Sequence, residues 1–209
     1  MVKILRPQPH GDVPRLVLDA ALAIIETSGA EALSMREVAR RAGVSHQAPY
    51  HYFGDRSGIF AAIAEEGFIG LAEGFRVALT DEENPAKCSL AAYVHFALEH
   101  RGHFRVMFRP DISGVITHPA TKIAADSGYD ELMNLVNRTM GMPVNASVAA
   151  TWATLLWSVA HGLATLLIDG PIAAQLPDNI ALADHIESVI DLSSQMVTAQ
   201  ARAMGLSPS

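Results

Sequence analysis

Between Ser34 and Phe53 the chain reads SMREVARRAGVSHQAPYHYF. No other segment restricts the fold as much, because two short helical patterns are separated only by Gly43-Val44-Ser45, which leaves room for nothing but a tight corner. Ser34 suits a helix N-cap, and Glu37 three residues on completes a capping box, so a helix is predicted from there to Ala42. Gly43 supplies the left-handed backbone that ends it. Ser45 is expected to cap the next helix, which runs to about Phe53. Ala39 is small enough to let the two helices cross closely, and Val38 and Val44 bring apolar side chains into the joint. Pro49 falls about four residues after the expected cap, where little intrahelical bonding is lost.

The outer face of the second helix carries Ser45, His46, Gln47, Tyr50, His51 and Tyr52, where an ordinary surface helix carries Glu and Lys. Three aromatics and two histidines within eight residues do not suit a merely solvated face. They do suit a helix that enters the major groove of double-stranded DNA. Gln47 can make paired hydrogen bonds to adenine, and His46 can donate to or accept from a base edge. Tyr50, His51 and Tyr52 have polar tips that reach phosphate, which positions a protein without specifying sequence. Arg56, at the start of the following helix, adds a cation beside backbone N–H groups that favour an anion. Ser34 and Arg36 are expected to meet phosphate on the other side.

The formal net charge of −7 weighs against nucleic acid only until the chain is divided. Residues 1–60 hold seven Lys/Arg against six Asp/Glu, so that segment is +1 and residues 61–209 are −8. Acidity outside the reading segment repels DNA and restricts contact to one face. The single cysteine, Cys88, rules out an internal disulfide framework and fits a reducing, cytoplasmic setting. The opening MVKILRPQPHGD lacks the apolar run of a secretory leader and reads as a mobile tail over residues 1–12.

Helical spacing recurs along the rest of the chain and no strand pattern stands out. The expected helices cover Val13–Ser28, Ser34–Ala42, Ser45–Phe53, Arg56–Leu79, Ala86–His100, His103–Phe108, Ala120–Met140, Asn145–Ile168 and Ile180–Met204, about nine in an all-α fold. Ala149 to Ile168 is long and apolar enough to suggest a membrane span. Its Thr151, Thr154, Ser158, His161 and Thr165, and the lack of close basic flanks, favour a core helix that also builds a subunit interface. No nucleophile elbow, phosphate loop or metal-ligand spacing appears, so neither catalysis nor a cofactor is expected. His95, His100 and His103 do not share one helix face. The large, soft side chains Phe96, Phe104, Met107, Phe108, Tyr129, Met133, Trp152, Leu156 and Trp157, with His161, are expected to surround a small-molecule cavity with few charges, hence an apolar ligand.

The run Ala39 to Ser45, then Tyr50, Tyr52 and Phe53 with a basic residue three positions later, resembles the N-terminal domain of TetR-family transcriptional regulators. The family most often has Lys where this chain has Arg56, so the charge is kept. Trp157-Ser-Val-Ala-His161-Gly162 is similar to the Trp-His-Gly signature of one class of TetR C-terminal domains, and Phe104 to Pro110 is similar to a segment of the same class. The resemblance implies a homodimer that binds a near-palindromic operator and represses until a small effector binds the C-terminal domain. It divides the chain into the tail, a helix-turn-helix domain with its connecting helix over 13–79, and a ligand-binding and dimerisation domain over 80–209. Two other classes share parts of the pattern: a helical small-molecule binding protein with no DNA role, and an enzyme using the same cavity. Salt-dependent duplex binding separates the first from a regulator, and turnover separates the second.

Overall fold

Pro14 opens the first helix where its missing N–H costs nothing, and the apolar spacing behind it buries Val17, Leu18, Ala21, Ile24 and Ile25 on one side of α1 (Val13–Ser28). Leu16, on the same helix, is 40% exposed. Gly29, at φ +81°, ends the helix and leads into a single 3₁₀ turn over Ala30–Ala32. The computed structural model describes residues 12–81, 83–140, 145–177 and 179–205, so the tail expected over 1–12 lies outside it except for Asp12.

α2 (Met35–Ala42) begins as expected: Ser34 Oγ accepts the Glu37 N–H at 3.3 Å. The Glu37 carboxylate instead pairs with Arg40 and Arg41, at 2.7 and 2.8 Å. Gly43, at φ +68°, ends α2 in the left-handed region. α3 (Ala48–Phe53) starts two residues later than a Ser45 cap would place it and has no side-chain cap. Ser45 to Gln47 form a turn in which the Ser45 carbonyl accepts from Ala48 N–H at 3.0 Å. The reason is Pro49: in a helix begun at Ser45 its ring would press on the Ser45 carbonyl, four residues back. Pro49 therefore sits in the first turn of α3, where a proline fits.

Asp55 caps α4 (Arg56–Ala78) by accepting from Gly58 N–H at 3.1 Å. α5 (Pro85–Glu99) starts on an Asn84 cap and α6 (Arg101–Met107) follows almost at once. α7 (Pro119–Met140), α8 (Ala146–Ile168), a short α9 (Pro171–Gln175) and α10 (Leu182–Ala203) complete the chain. The sequence reading has only a connection where α9 forms. No strand occurs among the described residues.

α4 is apolar on several sides and packs against α1, α3, α5, α6 and α7. One continuous hydrophobic core runs through it, from Val17 in α1 to Ala201 in α10. α4 thus ties the small N-terminal unit rigidly to the larger helical body. α8 buries Trp152, Leu156, Ala160 and Leu163 but leaves Leu155 and Leu166 exposed, and α10 buries Ile186, Ile190 and Val197 but leaves Leu192 and Met196 exposed.

Candidate nucleic-acid interface and the cavity behind it

The turn and helix from Ser45 to Phe53 separate two faces cleanly. Pro49 is buried and Phe53 packs on the core, while Ser45, His46, Gln47, Tyr50, His51 and Tyr52 are all exposed. Tyr50 and Tyr52 each keep 48% of their surface in solvent. Solvation alone gives no reason to leave two tyrosines out, since each forgoes burial of a large ring. His51 and Tyr52 brace each other edge to face, with ring centroids 4.9 Å apart. Behind them Val38 is fully buried, and a valine in that state contributes about 2 kcal/mol to holding α2 in place.

Ser34 and Arg36 lie exposed at the start of α2. Ser34 spends its hydroxyl oxygen on the cap. Arg36 enters no ion pair among the described residues, whereas Arg40 and Arg41 are held by Glu37. Those two guanidinium hydrogen bonds keep the Glu37 carboxyl down at about 2, so the triad stays charged at every pH at which the protein would meet DNA. Arg56 differs from the other eight candidates. Its Nη2 donates to the Ala30 carbonyl at 2.7 Å, and its guanidinium lies over the Phe60 ring, 5.0 Å from the centroid. Glu31 is 3.7 Å away. The guanidinium therefore clamps the start of α4 to the 3₁₀ turn, with 41% of the side chain left in solvent.

On the far side of α4 lies a cavity of about 590 Å³. Six of the ten residues expected to line it do so: Met107, Phe108, Tyr129, Leu156, Trp157 and His161. The other four do not. Phe96 is taken up against α4, where Gly70 has no side chain to hold it off, and tilts against the His100 ring at 4.9 Å. Phe104 is buried behind the wall, its ring 5.0 Å from His161 and 5.4 Å from Phe108. Trp152, one turn before Leu156 on the same side of α8, is buried in filled core, and Met133 packs partly buried against that core. The sequence reading missed the α4 wall of Phe68, Leu71 and Phe75, because α4 was assigned to the connection between domains. It also missed Tyr93, although Ser89 and Tyr93 stand four apart on one face of α5, the spacing that could have signalled a polar stripe.

Tyr93 organises the polar side of the cavity. Its Oη is 2.8 Å from His161 Nδ1 and accepts from Trp157 Nε1–H at 3.2 Å. Burial pushes the Tyr93 phenol well above its ordinary value and pushes the His161 imidazole below its own. Both are neutral at pH 7, and the His161 tautomer decides which of Tyr93 Oη and His161 Nδ1 donates. His161 lines the cavity as expected and is hydrogen-bonded within its wall. Cys88 is partly buried, and burial together with Asp81 raises its thiol, which is unlike the depressed value of a reactive cysteine.

The segment after α5 touches both regions. Met107, Phe108, Pro110 and Ser113 face the cavity. From the same stretch Arg105 donates to the Glu26 carbonyl at 3.5 Å, and Arg109 pairs with Glu31 at 2.7 Å. Ser57 and His118 approach to 3.4 Å, and Thr121 Oγ1 donates to the Ala61 carbonyl at 3.1 Å.

Residues 17–63 match the family described as bacterial regulatory proteins, tetR family, and residues 89–191 match the tetracyclin repressor-like C-terminal domain. Over 133 residues the chain is 27% identical to the HTH-type transcriptional activator FasR of Mycolicibacterium smegmatis, covering 60% of this chain and 59% of that protein. It thus spans less than two thirds of that relative's length. A protein of unknown function from Rhodococcus sp. RHA1 superposes with a TM-score of 0.72 at 27% identity, covering 94% of this chain and 98% of the other. The TetR family regulator PfmR from Thermus thermophilus shares the fold, with a TM-score of 0.61 at 20% identity over 88% of this chain and 97% of its own.

Proposed function

The chain belongs to the TetR family of transcriptional regulators, and on that premise we propose that it is a repressor that binds a near-palindromic operator as a homodimer and lets go when a small, largely apolar molecule fills the cavity. Residues 13–79 read DNA, and residues 80–209 dimerise and sense. The observation that carries the reading is the outward set Ser45, His46, Gln47, Tyr50, His51 and Tyr52 on a turn and helix whose inner side is sealed by Pro49 and Phe53. Gln47 and His46 read base edges, while Tyr50, His51, Tyr52, Ser34, Ser45 and Arg36 hold phosphate. Arg56 adds a cation beside them while its Nη2 holds the Ala30 carbonyl, since 41% of its side chain stays exposed.

Exposed apolar residues on α8 and α10 support the dimer, because two copies can cover them in a four-helix packing. The two α3 helices then stand roughly 34–36 Å apart, one turn of the duplex. A ligand pressing on Phe108 or Ser113 moves the segment that also holds Glu26 and Glu31, and so shifts α1 and the 3₁₀ turn against α4. Such coupling amounts to about 1–3 kcal/mol in proteins of this kind. The protein acts in the cytoplasm, and the scheme needs neither membrane nor cofactor.

Gln47→Ala is expected to relax preference at one operator position, at a cost of about 1–3 kcal/mol on the preferred base and little elsewhere. Tyr52→Phe is expected to weaken every duplex to a similar, smaller extent. Anisotropy titrations over a panel of single-base operator variants separate the two. A uniform loss for Gln47→Ala contradicts its assignment to a base edge.

A further inference from the structure

The cavity wall has no Lys, Arg, Asp or Glu, and most of its polar side-chain atoms are already spent or sealed. Ser89 Oγ and Ser113 Oγ are buried in the wall with neither partner nor accessible surface, so they meet nothing in the cavity. Ser158 Oγ donates to the Thr154 carbonyl at 2.7 Å, and Trp157 Nε1–H donates to Tyr93 Oη at 3.2 Å. His161 differs from all of these. Its Nδ1 lies 2.8 Å from Tyr93 Oη, while its Nε2 has no hydrogen-bond partner among the described residues. Nε2 is not one of the sealed, unpartnered atoms either, so this half-buried ring keeps that nitrogen accessible on the wall it lines.

The bonds of Tyr93 decide what Nε2 offers. Tyr93 is 3% exposed, and its oxygen already accepts from Trp157. The phenol proton needs an acceptor of its own, and among the described residues His161 Nδ1 is the one within reach. A proton on Nδ1 would make the phenol oxygen accept twice and leave its own proton buried without a partner, which is costly. Burial lowers the imidazole's affinity for a second proton, so with Nδ1 accepting, the one ring proton sits on Nε2.

Accepting the ligand-responsive reading above, we propose that His161 donates from Nε2 to a single oxygen of the effector, and that the effector is an uncharged, mainly aromatic molecule whose oxygen is a carbonyl flanked by rings on both sides. The surroundings of the donor set that shape. Phe108 stands edge-on to His161 at 4.8 Å and also packs on Phe68 at 5.6 Å and Trp157 at 5.8 Å. Phe75 stacks on Tyr93 at 6.1 Å. The donor is thus set among aromatic side chains on every recorded side, and rings pair well with rings in edge-to-face or offset contact. A carboxylate finds no counter-charge on this wall, and burying one unpaired is strongly unfavourable. A volume of about 590 Å³ suits a drug-sized molecule of this kind.

The test is displacement of the uncharged dye N-phenylnaphthylamine from the full-length protein by three probes that share one skeleton. They are para-phenylbenzophenone, para-benzylbiphenyl, in which a methylene replaces the carbonyl, and para-phenylbenzophenone bearing a carboxylate on its outer ring. The ketone is expected to bind about three- to tenfold more tightly than the hydrocarbon, the worth of one hydrogen bond. The carboxylate is expected to bind at least about 100-fold more weakly than the ketone. His161→Phe keeps a ring in place and is expected to bind ketone and hydrocarbon alike, with the hydrocarbon's affinity unchanged from the parent. A merely structural His161 would lower both affinities together and leave their ratio as it was. Nitrogen NMR of the ligand-free parent at pH 7 is expected to show His161 protonated at Nε2 and bare at Nδ1. Should His161→Phe not fold, the ratio of the two probes on the parent decides alone. Equal binding of ketone and hydrocarbon, a carboxylate as tight as the ketone, a proton on Nδ1, or no displacement by any probe would overturn the proposal. Duplex binding is measured in parallel. If the ketone binds as expected and the duplex is retained, the ligand class stands and the ligand-responsive reading falls.

Discussion

Gly58→Ala is expected to lower the affinity for operator DNA by about 100-fold or more and to lower the unfolding temperature. A Cβ at Gly58 would sit 1.9 Å from the Phe53 carbonyl oxygen and 2.9 Å from its carbonyl carbon. Both are backbone atoms, so no side-chain rotation relieves the clash. The last residue of α3 must move away from the first turn of α4, and the Asp55 cap on Gly58 N–H is strained with it. Overpacking of this kind costs about 1–3 kcal/mol per protomer. The dimer carries the misplaced α3 twice, and each 1.4 kcal/mol is about tenfold in affinity. The matched control is Gly74→Ala in the same helix, where the nearest neighbour of a new Cβ is Ala92 at an ordinary 3.9 Å. That variant is expected to bind DNA like the parent and to be more stable by about 0.5–1 kcal/mol, because a mid-helix glycine is replaced. Anisotropy titration and thermal unfolding check both. Parent-like DNA affinity in Gly58→Ala would mean that the α3–α4 junction does not set the reading face.

The second large effect concerns the dimer. Leu192 and Met196 lie four residues apart on one side of α10, 59% and 64% exposed, so replacing both with Glu leaves the protomer's own core untouched. Four like charges brought into a shared apolar surface oppose association. The double variant is expected to sediment as a monomer with a parent-like helical circular dichroism spectrum. Its operator affinity is expected to fall by about 10²–10⁴-fold, the advantage that a second tethered half-site confers. A variant that stays dimeric would move the subunit interface away from α10.

The N-terminal unit was legible because its signals are local. Ser34 as a cap, Gly43 as a left-handed stop and the polar outer face of α3 each follow from neighbours within a few residues. The start of α3 was misplaced because Ser45 looks like a cap, while the ring of Pro49, four residues later, disfavours the helix that cap would begin. Arg56 could not be assigned from sequence at all. Its partners Ala30 and Phe60 are brought to it by the tertiary fold, and a basic residue after the reading helix looks the same whether it faces phosphate or packs inward. The cavity was half legible for a related reason. A large apolar side chain on a helix lines a hole or fills core depending on what lies opposite, and Gly70 opposite Phe96 decides that case. Ser113 gave no signal, since a serine in sequence does not announce that it will be buried without a partner.

The central claim is that the face holding His46, Gln47 and Tyr50 meets a duplex. The direct measurement is a fluorescence-anisotropy titration of the purified protein against the DNA upstream of its own gene, with scrambled DNA alongside, repeated from low to moderate salt. The account predicts tighter binding to the upstream fragment. It also predicts that log affinity falls with log salt with a slope of at least about two in magnitude, the minimum for a dimer that sets one Arg36 per protomer on phosphate. Indifference to every duplex at low ionic strength would contradict it.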